Sequence, residues 1–210
     1  MGTQAVRRTM EEACRQGIEV LTLFAFSSEN WKRPAKEVQI LFNLLRRYLY
    51  EERLTLVEKD VRLSAIGRRD RLPGAVRDLL CETEEATRRC KRLHVRLALD
   101  YGARYEIVEA ARRLARQAIM GEIKLEQIDE YRFESIVSPE SIPDPDLIIR
   151  TAGEQRLSNF LLWQAAYAEL HFCPKYWPDF QESDLIAAIE DYHSRTRKFG
   201  ALACATGTIG

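Results

Sequence analysis

Residues 146–180 of the chain read DLIIRTAGEQRLSNFLLWQAAYAELHFCPKYWPDF, and their pattern decides the fold class. The apolar run 147–149 ends on Arg150, which is typical of a buried strand that delivers a polar side chain at its carboxyl end. A small-residue turn follows, and Ser158 and Asn159 then precede an apolar run that predicts a helix. An arginine, a turn and a helix start with free N–H groups together predict a site for a phosphorylated ligand.

A carboxylate heads the next apolar run of this stretch, at Glu169. Carboxylate oxygens are ligands for divalent cations, so Glu169 is a candidate metal ligand beside the bound anion. The residues leave a second interpretation open. In that interpretation Glu169 is a surface charge, and Arg150 and Arg156 form surface ion pairs with neighbours such as Glu154.

The rest of the chain alternates strand-like and helical patterns. Its apolar runs are bounded by polar stretches and are too short for buried helices, which indicates parallel strands. The alternation predicts an α/β fold with a mainly parallel central sheet flanked by helices, in one domain over 1–200 with a flexible tail over 201–210. The predicted strands are 18–26, 61–67, 93–102 and a fourth from 147, and the predicted helices are 3–17, 35–59, 75–91 and 104–117, with a weaker signal over 121–136.

A polar loop, SSENWKRP (27–34), follows the first predicted strand. Open α/β sheets bind ligands at the carboxyl ends of their strands, so this loop is a second candidate binding segment. Its alternative is an N-capped loop that leads into a helix, with its tryptophan as a packing anchor. The candidate side chains are Ser27, Ser28, Asn30, Trp31 and Arg33.

Composition excludes several classes of protein. The formal net charge of zero provides no basic field for nucleic acid. Five scattered cysteines without a CxxC pair argue against a disulfide framework and a zinc site. Neither GxxxxGK[ST] nor GxGxxG occurs, and three distant histidines do not favour a histidine-based centre. No window approaches the roughly 20 apolar residues of a membrane span, and we expect a cytoplasmic protein.

Four segments resemble the cis-prenyltransferase family, the isoprenyl transferases that include undecaprenyl diphosphate synthase. They are AFSSENWKRP (25–34), VRLSAIG (61–67), LALDYGARYEIVEAARRLA (97–115) and the segment 144–180. The resemblance implies repeated addition of isopentenyl diphosphate to an allylic diphosphate such as farnesyl diphosphate, with each new double bond cis. It also implies Mg²⁺, a homodimer, an apolar product tunnel, and peripheral membrane contact through the lipid product.

The resemblance also implies a role for each candidate residue. Asn30 would take part in proton removal after condensation, and because an amide is a poor base, it would position the proton acceptor. The helix after Arg33 would form a wall of the tunnel, with Leu41, Leu44, Leu45 and Leu49. The substrate-binding residues would be Ser27, Ser28, Glu29, Trp31, Arg33, Arg150, Arg156, Leu157 and Ser158, and the magnesium ligand Glu169.

The family's first strand ends in a DGNGRWA-type motif that holds the allylic diphosphate, and the 210 residues contain no such motif. The sequence also departs from the family's usual pattern at Gln155, Asp100 and Ala103. The interpretations left open are a fragment or misplaced start of an active enzyme, a noncatalytic partner subunit of a heteromeric enzyme, and an inactive product. Without the motif, residues 1–210 assayed alone are expected to incorporate no labelled isopentenyl diphosphate.

Overall fold

Strand β3, Leu93–Tyr101, lies at the centre of the larger sheet, and all of its residues except His94 are buried. Strands β1 (Val20–Ser27) and β2 (Val61–Ile66) pair with it in parallel, one on each side, in the order β1-β3-β2. A continuous apolar run is the pattern expected of a parallel strand covered on both faces. The buried parallel strand predicted at 93–102 is therefore confirmed.

The computed structural model describes residues 2–139 and 142–196, and the predicted tail at 201–210 lies outside them. Helices and strands alternate along these residues as the sequence predicts. The helices are α1 (Gly2–Arg15), α2 (Ala35–Glu58), α3 (Gly74–Thr87), α4 (Ala103–Ile119), α5 (Glu130–Val137) and α6 (Glu182–Ser194), with short 3-10 helices at Ser28–Lys32, Leu125–Gln127 and Trp177–Asp179.

Two further strands, β4 (Leu147–Arg150) and β5 (Glu169–Phe172), form a separate parallel pair with Arg150 opposite Phe172. The predicted α/β fold with parallel strands is thus confirmed, with the strands arranged as a three-stranded and a two-stranded sheet. Both β1 and β4 end on polar residues, so each sheet presents candidate site residues at its carboxyl edge.

The main core lies between α2, α3 and the larger sheet. Helix α2 buries residues at helical spacing, including Leu49 and Leu56, against Leu63 of β2 and Leu80 of α3. Of the four leucines expected to line a tunnel, Leu41, Leu45 and Leu49 face this core, whereas Leu44 is 48% exposed. The tunnel itself stays a prediction.

The helix predicted after Ser158 and Asn159 is wrong. The chain between β4 and β5 runs through successive turns instead. Ser158, Asn159 and Leu161 have φ values of 50°, 63° and 45°, which place three nearby residues in the left-handed region. A right-handed helix cannot include such residues, and the apolar pattern alone does not report their backbone conformation.

None of the helices within residues 2–139 and 142–196 is both long enough and apolar enough to cross a membrane.

Candidate active site

The loop after β1 is a 3-10 turn closed by its own side chains. The hydroxyl of Ser27 accepts a hydrogen bond from the backbone N–H of Glu29 at 3.1 Å, and the Asn30 Oδ1 accepts from the backbone N–H of Ser27 at 2.9 Å. This reciprocal arrangement satisfies N–H groups that a helix start otherwise leaves unpaired. The capped loop that the sequence left open is therefore present.

Trp31 anchors the same loop to the core. Its ring centroid lies 5.2 Å from that of Phe26 and 5.4 Å from that of Phe42, both of which are buried. Its indole Nε1 donates to Oδ1 of Asp100 at 2.7 Å. Trp31 is therefore the packing anchor that the sequence left open. Its ring is half-buried, and its contact with a substrate stays a prediction.

Asn159 brings three segments of the chain together. Its Nδ2 donates to Glu29 Oε1 at 3.0 Å, and its Oδ1 accepts from the backbone N–H of Arg104 at 2.8 Å. Its backbone carbonyl accepts from the N–H of Ala103 at 2.9 Å. The first loop, the start of α4 and the turn that contains Ser158 thus meet.

The carboxyl group of Glu29 lies at this meeting point. It is bonded to the hydroxyls of Ser27 and Ser28 and to the amide of Asn159. Hydrogen bonds to a carboxylate favour its charged form, so the Ser27 hydroxyl, and after it the Asn159 amide, lower the pKa of Glu29. Glu29 therefore holds the two hydroxyls and the Asn159 amide together at this point.

Gly102 makes the convergence of these segments possible. A Cβ at this position would lie 2.7 Å from Ser28 Oγ and 2.8 Å from Asn159 Nδ2. The sequence predicts Asn159 only as part of a helix start and does not single out Gly102. The only available signal was their adjacency to selected positions, since the contacts of Asn159 span more than fifty residues of chain.

Gly102→Ala is expected to lower the free energy of unfolding by about 1–2 kcal/mol, because an added methyl group in a packed site forces its neighbours apart. Urea denaturation monitored by circular dichroism measures the change. The control is Gly74→Ala in the first turn of α3, where an added Cβ meets nothing within 4 Å. Equal stability of the two variants would show that the three segments are not closely packed in solution.

The two arginines of the second candidate segment converge on Glu154. Arg150 Nη2 lies 2.7 Å from Glu154 Oε2, and Arg156 pairs with the same oxygen. The guanidinium groups, that of Arg150 first, lower the pKa of Glu154. The ion pairs that the sequence left open are therefore present, and they place both guanidinium groups within reach of one anion.

The turn between these arginines does not offer its N–H groups to a ligand. The N–H of Ala152 donates to the Lys175 carbonyl at 2.7 Å, and that of Gly153 donates to the Cys173 carbonyl at 3.0 Å. The segment after β5 therefore already binds these two backbone donors. The free N–H groups expected from the sequence belonged to the helix predicted after Ser158 and Asn159, which does not form. The cationic donors beside this turn are the side chains of Arg150 and Arg156.

The remaining predicted residues lie apart from these contacts. Arg33 forms an exposed ion pair with Glu37 at 2.8 Å, one turn into α2. Leu157 and Ser158 are half-buried in the turns after the arginine pair. Their roles in substrate binding stay predictions.

Glu169 is engaged within its own chain. Arg195 Nη1 lies 2.7 Å from Glu169 Oε2, and Arg195 also binds Asp191 at 2.6 Å. In the part of the chain that the structure describes, no group of three or more His, Cys, Asp or Glu side chains is placed to hold a metal ion. A single carboxylate with a guanidinium partner does not fit a Mg²⁺ site by itself, so such a site needs donors from elsewhere.

Comparison with known proteins agrees with this arrangement. Residues 1–200 match the family model described as "Putative undecaprenyl diphosphate synthase". The isoprenyl transferase of Rhizobium meliloti (strain 1021) is 47% identical over 209 residues, which are 100% of this chain and 85% of the relative. Lavandulyl diphosphate synthase from Lavandula x intermedia, solved with dimethylallyl diphosphate, has a TM-score of 0.92 and 39% identity, over 95% of this chain and 86% of that one.

A second solved structure, a "probable undecaprenyl diphosphate synthase" from Campylobacter jejuni, has a TM-score of 0.83 and 38% sequence identity. The match covers 95% of this chain and 91% of that chain. Similarity in sequence and in fold therefore extends over nearly the whole of the described residues.

Proposed function

We propose a reaction for this chain from one premise: it belongs to the undecaprenyl diphosphate synthase family and is an isoprenyl transferase. The proposed reaction condenses isopentenyl diphosphate with an allylic diphosphate such as farnesyl diphosphate and forms a cis double bond. Repetition of this step yields a polyprenyl diphosphate. The described residues would supply the half of the site that binds isopentenyl diphosphate.

The convergence of Arg150 and Arg156 on one carboxylate is the observation that carries the proposal. Both guanidinium groups already bind an anion, Glu154, through their terminal nitrogens. A diphosphate presents more oxygens and more negative charge than a carboxylate, and guanidinium groups bind it bidentately. We therefore expect the diphosphate to replace Glu154 on the two arginines.

The position of Asn30 supports a positioning role in the proton-removal step. Its Oδ1 accepts from the Ser27 N–H, so the amide oxygen is committed within the loop. The NH₂ group of the same amide is a donor, and a donor holds a diphosphate oxygen better than it removes a proton. Asn30 would then orient the group that accepts the proton.

Other parts of the proposal rest on family membership rather than on contacts in this chain. We propose Mg²⁺ as the cation that accompanies the diphosphates, with Glu169 as the carboxylate this chain contributes. We also propose a homodimer in the cytoplasm that contacts the membrane through its lipid product. Because no group of metal-binding side chains occurs among the described residues 2–139 and 142–196, no step of the reaction is assigned to the metal.

Isothermal titration calorimetry with isopentenyl diphosphate tests the proposal on residues 1–210. Saturable 1:1 binding, weakened by added inorganic pyrophosphate, is the expected result, because both ligands would compete for the same arginines. The absence of saturable binding would remove Arg150 and Arg156 from the role proposed for them.

A chimera tests the transfer step itself. Residues 1–210 alone are expected to incorporate no labelled isopentenyl diphosphate with farnesyl diphosphate and Mg²⁺, because they carry no DGNGRWA-type motif. Joining the first strand and motif of a related isoprenyl transferase to this chain is expected to restore incorporation. A chimera that binds isopentenyl diphosphate yet incorporates none would instead favour the noncatalytic partner subunit.

A further inference from the structure

Asp100 is a buried carboxylate at the carboxyl end of β3, beside the first candidate loop. It is 1% exposed, and its φ of 47° lies in the left-handed region. Aspartate tolerates this conformation better than most residues, although it still costs free energy. A buried, backbone-strained carboxylate is expensive, so its interactions must offset that cost.

Asp100 faces an indole and a guanidinium. Its Oδ1 accepts the hydrogen bond from Trp31 Nε1 at 2.7 Å, and Arg71 Nε lies 3.4 Å from its Oδ2. Arg71 also covers the Trp31 ring, with its Cζ 4.9 Å from the ring centroid. The indole is thus fixed at its N–H edge by the carboxylate and on its face by a cation, which together determine the orientation of the ring.

Arg71 belongs to the loop that follows β2, so this arrangement joins two loops at the same edge of the sheet. The backbone N–H of Arg68 in that loop donates to the Asp100 carbonyl at 3.3 Å. This second contact uses the main-chain carbonyl of Asp100, which remains when the side chain is substituted. Substitution therefore separates the side-chain contact with Trp31 from the main-chain contact with Arg68.

The two carboxylate oxygens of Asp100 are not equally well paired. Its Oδ2 has no hydrogen bond among the described residues, and burial raises the pKa of the carboxyl group. The hydrogen bond from Trp31, and after it the charges of Arg71 and Arg68, oppose that rise in pKa, and Asp70 adds to it. The indole hydrogen bond, at 2.7 Å, is shorter than the 3.4 Å contact with Arg71.

We propose that Asp100 is a positioning residue that orients Trp31, and through it holds loop 27–33 in its substrate-binding conformation. The inference rests on the proposed function, since it assumes that this loop contacts the substrates. Trp31 lies in the same 3-10 turn as Glu29, which binds Asn159, and Ser28, whose hydroxyl lies beside Gly102. Rotation of the indole would shift that turn and move its hydroxyls away from the second candidate segment.

Two Asp100 variants and one control test the proposal. Asp100→Ala removes the acceptor of the indole N–H. Asp100→Asn keeps an acceptor oxygen at this position but removes the negative charge. Asp70→Ala is the matched control, because Asp70 is an exposed aspartate in the neighbouring loop that pairs with Arg68. The difference between the emission spectra of each protein and its Trp31→Phe counterpart isolates the Trp31 signal.

Asp100→Ala is expected to shift the Trp31 emission to longer wavelength and to increase its quenching by acrylamide, because the released indole becomes hydrated. Isopentenyl diphosphate binding should weaken about tenfold, the equivalent of one lost directed hydrogen bond. Asp100→Asn is expected to restore both the emission and most of the affinity, and Asp70→Ala to match the unsubstituted protein.

Unchanged Trp31 emission in Asp100→Ala would overturn the proposal, whatever the affinity. Altered emission with unchanged affinity would also overturn it, because the loop would then not need the indole in place. If the unsubstituted chain fails to bind isopentenyl diphosphate, the proposed function fails, while the emission measurements still decide whether Asp100 orients Trp31.

Discussion

Replacement of Arg150 by alanine is expected to weaken isopentenyl diphosphate binding about a hundredfold. Arg150 is the last residue of β4, and its side chain is only 30% exposed, so water screens its charge incompletely. Two charge-assisted hydrogen bonds from one guanidinium to a diphosphate account for roughly 3 kcal/mol, which is about a hundredfold in affinity. Calorimetric titration of the variant measures the change.

Two further variants make this expectation specific. Arg156→Ala should have a smaller effect, because Arg156 is 64% exposed and its charge is better screened. Arg112→Ala is the matched control, since Arg112 forms a comparable exposed pair with Glu109 on α4. If Arg150→Ala and Arg112→Ala bind isopentenyl diphosphate equally well, the arginine pair is not the diphosphate site.

The sequence predicts the fold correctly where the spacing of the apolar side chains matches the backbone conformation of the segment. Strand β3 is a run of buried residues, and α2 places its apolar residues at helical spacing, so both follow from burial alone. The segment after Arg156 is different. Its apolar residues are equally numerous, but left-handed residues at 158, 159 and 161 divide it into turns.

The candidate site could be predicted only as two separate segments. Each segment follows the polar carboxyl end of a strand, which is visible in the sequence. The topology then places these strand ends at the edges of the sheets. The contacts that join the segments run through Asn159 and the space beside Gly102, and no local pattern reports contacts between residues so distant in sequence. Likewise, Glu154 could be identified as a partner of Arg150 from proximity in sequence, whereas the Arg195 partner of Glu169 could not.

Gly67→Ala is expected to reduce the free energy of unfolding by about 3 kcal/mol, combining the cost of a left-handed alanine with that of an overpacked contact. Gly67 directly follows β2 and has a φ of 103°. A Cβ there would approach the carbonyl oxygen of Leu99 to less than 3.0 Å and the Cα of Tyr101 to 3.2 Å. Both are backbone atoms of β3, so no side-chain rotation can relieve the overlap.

Gly17→Ala separates the two contributions to this loss. Gly17 has φ of 70°, yet an added Cβ there meets nothing within 4 Å, so this variant has only the backbone cost of about 1–2 kcal/mol. Urea denaturation of both variants should therefore give a clearly larger loss for Gly67→Ala. Equal losses would mean that the ends of β2 and β3 are less closely apposed in solution.

Gly67→Ala should also change the emission of Trp31. Arg71 lies four residues after Gly67, so displacement of this loop would move its guanidinium group away from the Trp31 ring.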